Sequence, residues 1–181
     1  APYNPAAIGF IDDSEAFFST TNYIDGDTHS VTGYAKRLSS TDHIGFHLYY
    51  FSSGDIVRRT VEVSDGSLGT FKFLGLNMRV IYTKTLTDRL KVGMSLKYIR
   101  ETNWEAYWHA FAFDIGSNFD TGIYGLFLGM SVTNFGPDVQ YRGDALTYSD
   151  PNSPTGSYNH ITDRFPLPLT FRLGLMKHII G

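Results

Sequence analysis

Hydrophobic and polar residues alternate along most of this chain. The clearest case is LKVGMSLKYI at 90–99, where every second residue from Leu90 to Tyr98 is apolar. Side chains of a β-strand point alternately to its two faces, so a period of two predicts a strand with one apolar face. The same period recurs at 42–53, 70–86, 104–118, 122–135 and 167–180, and more weakly at 13–22 and 28–38. The pattern predicts an all-β chain of about eight antiparallel strands without a long helix.

The predicted strands are unusually long, at about ten to fifteen residues. Strands of globular proteins usually run about five or six residues, whereas a strand that crosses a bilayer at a tilt needs about ten. The more polar face carries mainly Gly, Ala, Ser, Thr and Asn with few charges, which fits a crowded barrel interior better than an open surface. Aromatic residues lie near several strand ends, as in interfacial girdles. These features favour a transmembrane β-barrel.

Two connections, 54–69 and 136–166, are much longer than the others. They follow the third and the seventh predicted strand, so an antiparallel order brings both to the same end of the sheet. Outer-membrane barrels have short periplasmic turns and longer extracellular loops, so we expect this end to face outward. Exposed Arg and aromatic residues are common interface anchors. The residues predicted to contact a partner are Asp55, Arg58, Arg59, Asp138, Tyr141 and Arg142.

Composition excludes several functions. Charged residues make up 18% of the chain against about 25% in typical soluble domains, while aromatic residues reach 15%. The formal net charge of −3 argues against nucleic-acid binding. Cysteine is absent, which excludes disulfides, thiolate metal sites and cysteine nucleophiles.

Five stretches, read in order, resemble the PorV/PorQ family of outer-membrane proteins. They are NPAAIGF (4–10), TDRLKVGMSLKYIRE (87–101), FAFDIGSNFDTG (111–122), LGMSVTNFG (128–136) and FPLPLTFRLG (165–174). The resemblance implies a FadL-like barrel of about fourteen strands in the outer membrane of a Gram-negative bacterium. Residues 1–181 would then be an incomplete part of one barrel domain. It also implies contact with membrane lipid and with protein partners of a secretion or surface-attachment complex, because PorV belongs to the type IX secretion system of Bacteroidota.

Four charged residues are predicted to share the inner face of the barrel. Strand parity assigns Asp114, Arg79, Lys97 and Arg172 to that face. A charge on the lipid face would cost about 2–4 kcal/mol near the bilayer midplane, so an inward position is favoured. We expect an interior salt-bridge network that holds the strands in register. The alternative is a selectivity or substrate site in the lumen.

The sequence carries none of the common catalytic motifs. We find no Gly-x-Ser-x-Gly elbow, phosphate-binding glycine loop or His-Glu-x-x-His pattern, so we predict a non-enzymatic protein without cofactor or metal. Two other functions remain open. One is a FadL-like transporter of hydrophobic small molecules, and the other is a soluble β-sandwich or lipocalin-like binding protein.

Overall fold

The computed structural model describes residues 2–61, 63–149 and 157–177. Its strands are β1 (Ser14–Asn22), β2 (Thr28–Arg37), β3 (Asp42–Ser52), β4 (Ile56–Val57), β5 (Thr70–Phe71), β6 (Phe73–Thr87), β7 (Leu90–Asn103), β8 (Ala106–Asp120), β9 (Leu126–Phe135), β10 (Thr147–Ser149), β11 (Ser157–Asn159) and β12 (Thr170–Lys177). Short 3-10 segments span Pro5–Phe10, Ile24–Gly26 and Asp144–Leu146. No helix in the described part of the chain is long and apolar enough to cross a membrane.

Eight strands form one antiparallel sheet in the order β1-β2-β3-β6-β7-β8-β9-β12. The prediction of an all-β, antiparallel chain with about eight main strands is therefore confirmed. The sheet is open, since β1 and β12 form its two edges and do not pair with each other. The long connections contain the small ladders β4–β5 and β10–β11. Both connections lie at the same end of the sheet, here called the long-loop end. The last residues of the predicted strand at 167–180 lie outside the described residues.

The sheet has two faces of opposite character. In β7, Ser95 and Lys97 are buried, whereas Met94 and Leu96 expose 58% and 44% of their surface. We call the first side the covered face and the second the exposed face. Large apolar residues line the exposed face across the sheet, including Phe46, Val80, Phe113, Ile115, Val132, Phe171, Leu173 and Leu175. The apolar side of the strands therefore points away from the protein, and the polar side points toward it.

The N-terminal 3-10 segment covers the middle of the polar face. Asn4 caps this segment, and its amide donates to the Ser117 carbonyl at 3.0 Å. The buried Thr83 hydroxyl donates to the Pro5 carbonyl at 2.8 Å. The segment lies so close to β7 that a Cβ added at Gly93 would overlap the backbone of Pro5 and Ala6. Small residues on the covered face are thus needed to seat the chain that fills it.

The connection after β9 covers the same face nearer the long-loop end. Val139 and Leu167 from this connection pack with Trp108, Ala110 and Ala112 of β8 in a buried apolar cluster. Two segments that are distant in sequence therefore share one face of the sheet and exclude water from it. The buried charged residues lie where these two covers meet.

Candidate functional site

Asp114 is the centre of a buried polar cluster on the covered face. It is 1% exposed, and its carboxylate lies 2.7 Å from the Lys97 ammonium and 3.6 Å from Nε of Arg79. The Ser95 hydroxyl donates to one carboxylate oxygen at 2.7 Å, and the backbone N–H of Asn134 donates to the other at 2.8 Å. The geometry thus brings together Arg79, Lys97 and Asp114 on one face, the arrangement that strand parity predicted.

A bulge in β9 directs the Asn134 N–H toward this carboxylate. Between Phe113 and Ile115 the register of β8 against β9 shifts, and β9 has one residue more than β8 across this interval. Asn134 has φ +67°, in the left-handed region that Asn tolerates better than most residues. Its N–H is thereby released from the ladder and bonds to Asp114 instead.

The cluster links both covering segments to the wall of the sheet. Nη1 of Arg79 donates to the Pro2 carbonyl at 2.8 Å, at the start of the N-terminal cover. The Asn134 amide donates to the Pro168 carbonyl at 2.9 Å, at the end of the long connection, and its amide oxygen accepts from Lys97. Because the charges are dehydrated, they are stable only while these partners stay in place.

Arg172 shares the covered face but stands apart from the ion pairs. It lies on the edge strand β12, where Nη1 donates to the Thr133 hydroxyl at 2.9 Å. Its guanidinium carbon lies 5.4 Å from the ring centre of Tyr3. Arg172 therefore holds the N-terminal residues against β12 rather than neutralising Asp114.

The arrangement around Asp114 is suited to holding structure. Each carboxylate oxygen already accepts a hydrogen bond and faces a cation, so neither is available to take a proton from a substrate. Among the described residues, no group of three or more His, Asp or Glu side chains could hold a metal ion. The cluster therefore serves to join the two covering segments to the sheet.

The residues predicted to contact a partner fall into two groups along the chain. In the first long connection, Asp55 pairs with Lys72 at 3.6 Å, and the Arg58 guanidinium lies 4.0 Å above the Trp104 ring. Arg59 is exposed beside them. These three belong to one group at the long-loop end, separated in sequence from the other three.

The second group belongs to the connection after β9. Asp138 and Arg142 are exposed, whereas Tyr141 is half-buried and donates to Glu101 at 3.4 Å. Burial raises the pKa of the Tyr141 phenol, so the group stays protonated as a donor. The Trp108 indole N–H donates to the same Glu101 carboxylate at 3.0 Å. Tyr141 thus anchors its connection to the sheet instead of facing outward with its neighbours.

Sequence reasoning missed the role of Asn134 and of the Trp108–Glu101–Tyr141 cluster. The Asn in "TNFG" is a residue type that tolerates positive φ, which could have indicated a bulge. The indole–carboxylate pair had a detectable signal as well, because Trp108 and Glu101 are direct partners in the ladder between β7 and β8. No signal in the sequence indicated that Tyr141 contacts this pair.

A cavity of about 340 Å³ lies between the N-terminal cover and strands β1–β3. Its lining is mainly apolar and includes Ala7, Ile8, Ile11, Phe17, Val31 and Ala35. His47 is the polar side chain of β3 that reaches it. The cavity adjoins the Asp114 cluster, because its lining residue Pro2 accepts a hydrogen bond from Arg79.

Comparison with known proteins identifies no family for this chain. No family model matches it, and no curated protein sequence matches it.

Proposed function

We propose that this chain is part of the wall of a bacterial outer-membrane β-barrel of the PorV/PorQ type. The observation that carries the proposal is the inverted arrangement of the sheet, with apolar side chains exposed and charged side chains covered. A soluble monomer rarely exposes a continuous apolar patch larger than a few hundred Å². Here exposed apolar residues extend from β3 to β12, and lipid is the solvent that suits them.

The proposed role is non-enzymatic. The barrel fixes the protein in the outer membrane of a Gram-negative bacterium, and the long-loop end contacts protein partners in secretion or surface attachment. The five PorV/PorQ-like stretches support this role, as do the exposed charges of Asp55, Arg59, Asp138 and Arg142 at that end. The protein needs no cofactor in this role, since its action is to hold a partner at the membrane.

The test is carried out on the full-length protein in its own cells. The envelope is fractionated, and the detergent-solubilised protein is run on a gel with and without boiling. An outer-membrane band whose mobility changes on boiling is expected of a closed barrel. A protein that stays in solution without detergent and shows no change would overturn the proposal and favour a soluble β-sandwich or lipocalin-like binder.

Transport of hydrophobic small molecules is the second candidate function. It is supported by the apolar cavity beneath the N-terminal cover, which a FadL-like transporter would use as a binding site. Cells with and without the protein would be compared for uptake of a labelled long-chain fatty acid. Equal uptake would remove this candidate and leave the partner-binding role unaffected.

A further inference from the structure

Three guanidinium groups without an ionic partner gather at the long-loop end. They belong to Arg100, Arg142 and Arg164, and none of them is in an ion pair with another described residue. Arg142 and Arg164 line a cleft of about 290 Å³, together with His109 and Gln140. Asp138 is the one carboxylate in the lining, so cationic side chains outnumber it.

The cleft exists because β9 does not follow β8 to its end. The ladder between these strands stops at Phe113, and the edge of β8 nearer the long-loop end is paired with the connection after β9. Tyr107 and Arg142 exchange two backbone hydrogen bonds there, at 2.7 and 2.8 Å. A bridge between Val139 and Phe165 brings Arg164 beside the same opening.

The cleft borders the exposed apolar face. His109 is exposed and lies two residues before Phe111, which is also exposed. The His109 ring stacks against Tyr107 with centres 6.3 Å apart. Arg100 is the ladder partner of His109, and its guanidinium carbon lies 5.2 Å from the centre of the Tyr107 ring. Cations and aromatic rings therefore meet where the apolar face ends.

We propose that this cleft binds the phosphate of a membrane lipid headgroup. Guanidinium groups present paired N–H donors that match phosphate oxygens, and they do so better when two of them converge. Aromatic and basic side chains at the boundary of an apolar belt are placed at headgroup depth. The inference rests on the proposed membrane location. It also gives a ligand to two of the predicted partner-contact residues, since Asp138 and Arg142 line the cleft.

A pair of lipids that differ only in the phosphate tests the proposal. The full-length protein is purified in a non-denaturing detergent, and binding of dioleoyl phosphatidic acid and of dioleoylglycerol is measured by native mass spectrometry. Phosphatidic acid should bind and dioleoylglycerol should not. The double variant Arg142→Gln/Arg164→Gln should lower the affinity for phosphatidic acid about tenfold or more. The matched control is Arg37→Gln, which is exposed in β2 at the opposite end of the sheet, and it should bind as the wild type does.

Each contrary result has a distinct meaning. Equal affinity in the double variant, or equal binding of dioleoylglycerol, would overturn the site. Inorganic phosphate binding as tightly as phosphatidic acid would indicate a free-anion site instead of a lipid site. Displacement of phosphatidic acid by an acidic peptide of higher affinity would reassign the cleft to a protein partner. A boiling-dependent mobility change in every variant, without lipid binding, would reject this inference and leave the membrane proposal standing.

Discussion

The two faces of the sheet place adjacent residues of one strand in opposite surroundings. Ser95 on the covered face is 3% exposed and bonds to a buried carboxylate, while Leu96, its neighbour in the chain, is 44% exposed and has no covering segment. A soluble sheet protein would reverse this order and bury its leucines. The difference shows that the core of this protein does not cover the apolar side chains of the sheet, so the surrounding medium contacts them.

Specific side-chain pairs stabilise the covered face, whereas the exposed face depends on the medium that surrounds it. Around Asp114, each charge depends on a named partner at a defined distance, so removing one partner leaves another uncompensated. The large apolar side chains of the exposed face, such as Leu96 and Phe113, make no such pairs, and in the proposed membrane location their contribution comes from transfer out of water. Substitutions on the two faces should therefore destabilise the protein for different physical reasons and by different free energies.

The largest effect is expected from Asp114→Ala on the covered face. The variant leaves the Lys97 ammonium and the Arg79 guanidinium buried without their anion, and breaking a buried ion pair costs about 3–5 kcal/mol. The free energy of unfolding would be measured by denaturant titration of the full-length protein in lipid vesicles. Adding Lys97→Met should recover part of the loss. A cost within 1 kcal/mol of wild type would mean that water reaches the cluster.

A smaller effect is expected from Leu96→Arg on the exposed face. If lipid surrounds this face, the arginine should cost about 2–4 kcal/mol near the bilayer midplane and reduce the heat-modifiable band. Val61→Arg is the matched control, because Val61 is 98% exposed in the first long connection and its variant should assemble normally. Equal tolerance of both variants would mean that water, not lipid, contacts the exposed face.

The smallest effect is expected from Gly93→Ala, which separates the covered face from its cover. The added methyl group overlaps the backbone of Pro5 and Ala6, and overpacking of this kind costs about 1–3 kcal/mol. Gly33→Ala is the control, since the nearest atom to its new Cβ would be 3.9 Å away. Labelling of a cysteine introduced at Ile8, which is 4% exposed, should become faster in the Gly93 variant only. An unchanged labelling rate would show that the segment does not rest on β7.

The alternation of residues determined the strands, their two faces and the side to which each charge belongs. Side chains of a strand alternate strictly, so the positions of Lys97 and Asp114 on one face follow from parity alone. The prediction of two long connections at one end needs nothing beyond strand count and antiparallel order. These are local properties of the chain.

Tertiary structure decided what covers the polar face. The Ser131 hydroxyl donates to the Tyr3 carbonyl at 2.8 Å, although 128 positions separate them, and no local pattern encodes such a contact. Three other features are also not encoded locally: the bulge at Asn134, the position of the N-terminal segment on the sheet, and the separation of Arg172 from Asp114. Each depends on backbone segments meeting in space, because a buried charge or carbonyl takes whichever partner the assembled fold brings within hydrogen-bonding distance.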